Sequence, residues 1–454
     1  MDNGTARASV PDWLVAPSFH TVMVGFPDVY GRLIGKRVTL DHFLSTVAGH
    51  GTHACSYLLT VDIEMTPLPG FGLANWDRGY GDLCLKPDLT TLRPVPWLDG
   101  TAVVLCNLAH PDGRPVAEAP RQVLARALEP LRQAGLTACM GSELEFFLFR
   151  DTYDRAAARR FQRLRPASDY LIDYHLLQPS RDEDVLRRIR CEMNAARIPI
   201  ECSKGEWGRG QHEVNLAYAD ATEMADRHVL YKTGVKEIAV QQGRAVTFMA
   251  KWSATEAGSS FHLHTSLWDQ SCRQNLFWDE ARGAESRLFR GFLGGLLAYS
   301  RELAYFFAPT VNSYKRYQAS SWAPTRIVWA RDNRTCGLRV VGAGAALRIE
   351  NRMPGADANP YLAYAATVIA GWRGVEEGLD CGEPFAGNAY LDTKSPRLPA
   401  SLGEATELLA GSALARQALG AEVHEFYLQN ARQETGAYRA AVTDWERARY
   451  FEQI

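Results

Sequence analysis

The sequence lacks the features that mark several large classes of protein. Its nine cysteines are scattered singly over 454 residues, with no Cys-x-x-Cys pair, and their odd number argues against a disulfide framework. There is no basic run comparable to a nucleic-acid patch, and the formal net charge is −2. No uncharged apolar stretch reaches the length of a membrane span, and the amino terminus lacks the apolar core of a signal peptide. These absences predict a cytoplasmic protein that binds neither nucleic acid nor a membrane.

The first hundred residues differ in pattern from the rest. TVMVGFPDVYGRLIGKRV, which begins at Thr21, has the character of a β-hairpin, and ACSYLLTVDI is a further strand candidate. After Thr101, strand-like segments alternate with amphipathic helices, which predicts an α+β protein with a small β-rich domain at 1–104 and a larger one at 105–454. The strand-like segments include AVVLCNL, GSELEFFLFR, GQHEVNLAY, AVTFMAKW, SFHLHTSLW and LRIENRMP. Helices are expected at RQVLARALEPLRQAG, Glu183–Arg197, Glu223–Gln242, Glu285–Phe307, Asn359–Gly378 and after Gly403.

Four of these segments carry ionisable side chains, most of them on one strand face with apolar residues on the other. They are Glu143 and Glu145 in SELEFFLFR, Glu206 and Glu213 in GEWGRGQHEV, His262 and His264 in SFHLHTSLW, and Arg348, Glu350 and Arg352 in LRIENRMP. A solvated strand face would explain any one pair. Together, hard carboxylate oxygens and an imidazole suit Mg²⁺ or Mn²⁺ bound alongside phosphate. Zinc is disfavoured because it would more often recruit cysteine or closely spaced histidines.

Arginines are frequent in the last third of the chain, several of them in turn or strand contexts. They are Arg316, Arg334, Arg339, Arg348 and Arg352. Arginine matches carboxylate and phosphate oxygens and stays charged when it is desolvated. Neither a Walker A pattern nor a kinase glycine-rich loop occurs, so metals would have to position a nucleotide. This combination suggests ATP and an anionic second substrate.

The chain resembles the glutamine synthetase family over essentially its whole length. The resemblance rests on several motifs in the same order: GYGDLCLKPD, SELEFFLF, ECSKGEWGRGQHEV, FHLHTSL, NSYKR, DNRTCGLRV and LRIENRMPGADANPYLA. It implies a β-grasp amino-terminal domain and a catalytic domain built on a curved antiparallel sheet flanked by helices. It also implies a homo-dodecamer of two stacked hexameric rings, with each active site between neighbouring subunits.

The resemblance further implies roles for individual residues. One metal would be bound by Glu145, Glu206 and Glu213, and a second by Glu143, His262 and Glu350. ATP would contact Glu201, His264, Arg339 and Arg348, and L-glutamate would contact Arg316, Gly258 and Arg352. Arg334 would meet the transferring phosphoryl group. Asp82, contributed by a neighbouring subunit, would lie near the amine together with Glu206.

The region that binds ammonia in the family is altered in this sequence. The family's flap motif Tyr-Glu-Ala-Pro is replaced by Ser321-Trp322-Ala323-Pro324, so Trp322 stands where a glutamate assists ammonia. The family's FDGSS stretch is replaced by LPGFGLANWDRG, and Ala257 precedes Gly258 where an asparagine is usual. Trp322 is therefore either a packing residue of a lineage-specific loop or, as we prefer, the wall of a pocket for a larger amine.

The resemblance thus implies an ATP-dependent ligase that joins the γ-carboxylate of L-glutamate to a small primary amine through a γ-glutamyl phosphate. Ethanolamine is the first choice of amine. A polyamine, and an alkyl or aryl amine such as aniline, are alternatives, as is ammonia in an ordinary glutamine synthetase. A non-catalytic homologue is disfavoured because every metal and phosphate ligand is present. Tyr390 falls near a tyrosine that is adenylylated in some relatives, but the surrounding loop differs, and no regulation is expected there.

Overall fold

Two β-sheets organise the chain in the computed structural model, which describes residues 10–454. The strands of the first sheet are β1 (Thr21–Pro27), β2 (Leu33–Thr39), β3 (Thr52–Cys55), β4 (Asp82–Pro87), β5 (Arg93–Pro94) and β6 (Thr101–Ala109). The sheet order is β2-β1-β6-β4-β3, with β5 also paired to β6, and β1 runs parallel to β6. Whether this part is a β-grasp domain stays a prediction.

β1 and β2 form the expected hairpin. Its turn is fixed by the buried carboxylate of Asp28, which accepts hydrogen bonds from the backbone N–H groups of Tyr30 and Arg32 at 3.0 and 2.8 Å. The second strand prediction, ACSYLLTVDI, is wrong after Cys55, because Ser56–Leu59 forms a 3₁₀ helix.

The predicted end of the first domain at residue 104 lies within β6. This strand continues in the first sheet to Ala109 and is buried along most of its length. A division between 104 and 105 would therefore cut a paired strand. The division into two domains stays a prediction.

The second sheet occupies the rest of the chain, and a short two-stranded ribbon, β12–β13, accompanies it. Its strands and those of the ribbon are β7 (Leu136–Phe149), β8 (Ile200–Gly205), β9 (Gln211–Asp220), β10 (Ala245–Thr247), β11 (Phe261–Asp269), β12 (Trp278–Asp279), β13 (Ala284–Glu285), β14 (Trp329–Arg331), β15 (Leu338–Val341) and β16 (Arg348–Asn351). The sheet order is β14-β15-β16-β11-β7-β9-β8, with β10 also paired to β7. All of these pairs are antiparallel except β14 with β15. The expected strand AVTFMAKW is reduced to the three residues of β10.

The helices are α1 (Leu40–His42), α2 (Ala48–His50), α3 (Pro120–Gln133), α4 (Tyr153–Ala158), α5 (Glu183–Ala195), α6 (Ala221–Gln241), α7 (Arg287–Tyr299), α8 (Ala304–Phe307), α9 (Pro360–Glu376), α10 (Leu402–Ala410), α11 (Ala413–Leu419), α12 (Ala421–Ala440) and α13 (Asp444–Tyr450). The single helix expected at Glu285–Phe307 is instead α7 and α8, separated by a turn. Within residues 10–454, no helix combines the length and the apolar character that crossing a bilayer requires.

A buried polar network anchors the central strand β7 from its core side. The hydroxyl of Ser142 lies 2.6 Å from Oη of Tyr364 in α9 and 3.0 Å from Nδ1 of His228 in α6. Nε2 of His228 has no partner among the described residues, but the two hydrogen bonds of Ser142 help to fix the position of the strand. Glu143 and Glu145, on the opposite face of β7, therefore project from a strand that is held in place.

Candidate active site

The ionisable faces of four strands meet on one side of the second sheet. The directly opposed residues are Glu145–Glu213 between β7 and β9, Glu143–His262 between β7 and β11, and Glu350–His264 between β16 and β11. Opposed residues of antiparallel neighbours project to the same face. The strand register alone therefore brings these six side chains together.

Two groups of three side chains converge closely enough to hold metal ions. One is Glu143, His262 and Glu350, and the other is Glu145, Glu213 and His262; within each, one ligand atom per residue lies within 4.8 Å of the others. Nδ1 of His262 lies 3.5 Å from Glu143 and 3.8 Å from Glu350. Because His262 belongs to both groups, the two candidate positions are adjacent. The first group has the composition predicted for one metal, and the second contains two of the three carboxylates predicted for the other.

The charges of the group formed by Glu145, Glu213 and His262 are poorly compensated by the protein. Burial and the neighbouring Glu206 raise the pKa of Glu145 to about 7, and the same two causes raise the pKa of Glu213 well above its usual range. Burial lowers the pKa of His262 to about 4, and neither of its ring nitrogens has a hydrogen-bond partner among the described residues. Buried carboxylates beside an unpartnered neutral imidazole fit a hard divalent cation.

The pKa values of Glu143 and Glu350 are lowered rather than raised. Burial raises the pKa of Glu143, but the imidazoles of His262 and His264 outweigh it and hold the pKa well below its usual range. For Glu350, the effect of burial is outweighed by Arg352 and the two histidines, which lower the pKa to about 2. Both carboxylates are therefore ionised at neutral pH and can serve as ligands without losing a proton.

Glu206, the third carboxylate predicted for the first metal, is engaged elsewhere. Its side chain forms an ion pair with Lys204, whose Nζ also lies 3.6 Å from Asp173 and 4.4 Å from the ring centre of Tyr174. Burial lowers the pKa of Lys204, but Glu206 and Glu213 outweigh burial and raise it. Glu206 lines the same cavity as Glu145 and Glu213, but it does not belong to their group of converging ligand atoms.

The predicted arginines surround this centre. Nη1 of Arg339 donates to Glu350 at 2.7 Å, and Arg352 pairs with the other oxygen of the same carboxylate. Nε of Arg348 lies 3.2 Å from Nδ1 of His264. Arg334 is exposed at the cavity wall and forms no ion pair with any residue that the structure describes. The guanidinium charge is therefore concentrated on the β15–β16 side of the cavity.

Arg316 is buried, with 2% of its surface exposed, and most of its donors are used by the protein. Its Nη1 donates to the carbonyl of Met353 at 2.9 Å, and its Nη2 donates to the carbonyl of Arg352 and to Oγ of Ser260, both at 2.8 Å. A guanidinium has five N–H donors, so Nε–H and one Nη1–H have no partner among the described residues, and Nε itself is buried. Gly258 packs against this side chain, and a Cβ there would lie 2.6 Å from Cγ of Arg316.

Two neighbouring cavities share the centre of the site. The larger, about 660 Å³, contains both candidate metal groups together with Arg316 and Trp322. The smaller, about 440 Å³, is lined by Glu201, Tyr218 and Trp268. Glu143, His264 and Arg348 line both, so a long ligand could lie across them with its charged portion at the carboxylates. Of the residues predicted to contact ATP, Glu201 lines only the smaller cavity, His264 and Arg348 line both, and Arg339 lines only the larger.

Comparison with known proteins identifies the family. Residues 117–450 match the family model described as glutamine synthetase, catalytic domain. The chain belongs to the glutamine synthetase family. It is 48% identical over 97% of its length to γ-glutamylethanolamide synthetase of Streptomyces coelicolor, covering 94% of that protein. It is 37% identical over its whole length to glutamate–isopropylamine ligase of a Pseudomonas species, covering 99% of that protein.

The fold agrees with this assignment. The solved structure of apo GmaS without ligand superposes with a TM-score of 0.83 at 29% identity, covering 96% of this chain and 97% of that one. The predicted family and its catalytic fold are confirmed. Individual metal, nucleotide and substrate contacts stay predictions.

The altered flap lies in the wall of the larger cavity. Trp322 adopts a φ of +64°, which is strained for a residue with a side chain, and 47% of its surface is exposed. Its carbonyl accepts a hydrogen bond from Nη2 of Arg352 at 3.2 Å. The flap is therefore linked to Arg352 through its backbone carbonyl, and the indole of Trp322 lines the larger cavity.

One predicted residue lies apart from the site, and several unpredicted ones line it. Asp82 is exposed at the start of β4 and does not line either cavity of its own chain. The larger cavity also contains Lys204, Trp207, Asp173 and Tyr174, which sequence reasoning missed. Lys204 and Trp207 flank Glu206 in the quoted motif SKGEWG, and this proximity is a signal that could have identified them.

Proposed function

We propose that this protein is an ATP-dependent ligase that joins the γ-carboxylate of L-glutamate to a small primary amine, with ethanolamine as the first choice. Membership of the glutamine synthetase family supports the ATP- and metal-dependent formation of an amide bond. The observation that carries the choice of amine is Trp322, which lines the cavity where the family uses a glutamate for ammonia. The 48% identity to a γ-glutamylethanolamide synthetase supports ethanolamine in particular.

The reaction has two steps. The γ-carboxylate of glutamate first takes the terminal phosphoryl group of ATP, and the amine then displaces phosphate from the γ-glutamyl phosphate to form the amide. In this proposal Arg334, Arg339 and Arg348 neutralise the charge that develops on the phosphoryl oxygens. Arg316, Gly258 and Arg352 hold the glutamate, and Trp322 limits the access of water to the acyl phosphate.

The proposed metal ligands are the carboxylates and the histidine at the centre of the larger cavity. Glu143, His262 and Glu350 would hold one ion; Glu145, Glu213 and Glu206 would hold the other, once Glu206 leaves Lys204. When bound, a divalent cation supplies positive charge that neutralises phosphate oxygens and orients the transferred group. We propose Mg²⁺ or Mn²⁺, because the donors are mainly carboxylate oxygens.

We further propose that the enzyme works as a homo-dodecamer of two stacked hexameric rings. Asp82 lies outside the cavities of its own chain, so it can take part only if a neighbouring subunit brings it to the amine.

A cytoplasmic location is part of the same proposal. All nine cysteines are free thiols, which fits a reducing compartment.

A second candidate is a ligase for a larger alkyl or aryl amine. The 37% identity to glutamate–isopropylamine ligase and the 31% identity to a γ-glutamylanilide synthase of an Acinetobacter species support it. An indole wall with few acids would also suit a neutral aniline. Polyamines and ammonia are less favoured, because the flap glutamate that would attract a cation is absent.

The test is phosphate release from ATP and glutamate with a panel of amines at equal concentration. The panel contains ethanolamine, isopropylamine, aniline, putrescine and ammonium, and the product is identified by mass. We expect ethanolamine to give the highest rate and ammonium a far lower one. If glutamine forms faster than every γ-glutamylamide, the protein is an ordinary glutamine synthetase. If no amine gives phosphate release while ATP still binds, the catalytic proposal itself is wrong.

A further inference from the structure

A second indole stands beside Trp322 in the wall of the larger cavity. The rings of Trp207 and Trp322 meet edge to face, with centroids 5.5 Å apart and planes at 65°. Trp207 comes from the turn after β8, whereas Trp322 comes from the loop before β14. Both are about half exposed, at 45% and 47%. Two separate segments therefore contribute to one aromatic wall at the rim of the cavity.

The backbone that carries Trp207 is fixed by the centre of the site. The N–H of Gly208 donates to Oε1 of Gln211 at 2.8 Å, and a side chain at Gly208 would clash with the ring of Phe147. The side-chain amide of Gln211 in turn donates to Glu145 at 3.1 Å and to the carbonyl of Gly258 at 2.9 Å. Trp207 is thus held relative to a proposed metal ligand and to the proposed glutamate site.

Such a wall has a defined consequence for an amine substrate. The nitrogen must approach the acyl phosphate at the carboxylate centre, so the carbon skeleton must lie toward the rim. Within this chain, the skeleton would meet the indole pair there. The proposed neighbouring subunit, which carries Asp82, would supply the rest of its surroundings. Apolar walls discriminate by fit, and a single methylene changes the rate constant kcat/KM by roughly 10- to 200-fold in such pockets.

We propose that Trp207 is a specificity-determining residue, which together with Trp322 limits the size of the amine that the enzyme accepts. This inference rests on the proposed function. In it, the indole pair decides whether the enzyme accepts a short amine such as ethanolamine or a branched or aromatic one. Edge-to-face aromatic pairs hold each other's orientation. Shortening Trp207 therefore both opens the rim and releases Trp322.

The test compares the wild type with Trp207→Ala, Trp207→Phe and a control variant, Trp445→Ala. Trp445 is 62% exposed in α13 and lines neither cavity, so it matches Trp207 in type and exposure. The measured quantity is kcat/KM for ethanolamine, isopropylamine and aniline, with saturating ATP and glutamate. We expect Trp207→Ala to raise the ratio of isopropylamine or aniline to ethanolamine at least tenfold, Trp207→Phe to be intermediate, and Trp445→Ala to keep the wild-type ratio.

Each outcome separates this inference from the proposed function. If Trp207→Ala lowers kcat/KM for all three amines by the same factor, Trp207 only supports the structure and the inference is wrong. If Trp207→Ala is inactive, Trp207→Phe provides the test. An unchanged ratio of kcat/KM for isopropylamine or aniline to that for ethanolamine in this variant would overturn the inference. A wild type that forms no γ-glutamylamide refutes the proposed function instead.

Discussion

Replacing Arg316 with lysine is expected to weaken both the fold and the use of glutamate. The guanidinium is buried, and it donates to the carbonyls of Met353 and Arg352 and to the hydroxyl of Ser260 at 2.8–2.9 Å. The single nitrogen of lysine cannot occupy the positions of Nη1 and Nη2 at once. At least one charge-assisted hydrogen bond is therefore lost, or two if the lysine nitrogen takes the position of Nη1, each contributing roughly 1.5–3 kcal/mol.

This loss predicts a decrease of at least about 1.5 kcal/mol in the free energy of unfolding, because a charge-assisted hydrogen bond is lost at a buried position. The same substitution removes the planar guanidinium from the lining of the larger cavity, and we expect kcat/KM for glutamate to fall at least about tenfold, or 1.4 kcal/mol. Urea unfolding measures the first quantity. Initial rates of phosphate release at varied glutamate measure the second.

Arg432→Lys is the matched control. Arg432 lies on α12 with 48% of its side chain exposed and a single ion pair to Glu425, so its replacement should change stability by less than about 0.5 kcal/mol. A variant at Arg316 with normal glutamate kinetics but reduced stability would restrict Arg316 to a structural role. Normal stability would contradict the hydrogen-bond reasoning itself.

The remaining predictions concern the metal ligands, the packing at Gly258 and the flap. Glu213→Gln should reduce the Mn²⁺-dependent rise in melting temperature, while the metal-free protein loses little stability, since burial already disfavours this charge. Gly258→Ala should lower kcat/KM for glutamate at least about tenfold, because the new Cβ would lie 2.6 Å from Cγ of Arg316. Trp322→Glu should shift the ratio of glutamine to γ-glutamylamide toward glutamine in a competition assay, even if the total rate falls.

Each of these predictions has an outcome that would contradict it. An unchanged Mn²⁺ response would remove Glu213 from the ligand set. Gly436→Ala serves as the glycine control, because a Cβ in that helix meets nothing within 4 Å and should be neutral or stabilising. Equal effects of the two alanine substitutions would show that the packing at Gly258 is not tight. A product ratio that Trp322→Glu leaves unchanged would mean that the indole does not select the amine.

The sequence predicted the parts of the site that depend on strand periodicity. Glu143 and Glu145 share a face because alternate residues of a strand do, and the strand register places His262 of β11 opposite Glu143 and Glu213 of β9 opposite Glu145. Periodicity could not predict the ion pair between Glu206 and Lys204, because Glu206 lies in the turn just beyond the end of β8, whereas Lys204 lies within that strand. Side-chain direction in such a turn is decided by packing rather than by local pattern.

The errors in the fold have a similar origin. The expected helix at Glu285–Phe307 has a continuous apolar pattern, but it breaks into α7 and α8 because tertiary packing overrides propensity. The contact between Trp207 and Trp322 joins residues more than a hundred positions apart, and no local signal in the sequence reports it.

The guanidinium of Arg352 bridges two parts of the site, since it pairs with Glu350 and also donates to the carbonyl of Trp322. In the proposed metal site, a cation bound by Glu350 would compete with Arg352 for the same carboxylate, and its binding would change the restraint on the flap. Linkage requires this effect to be reciprocal. If the cation changes the affinity for the amine by some factor, the amine changes the affinity for the cation by the same factor. The dissociation constant of the cation, titrated with and without amine, will then differ by that factor.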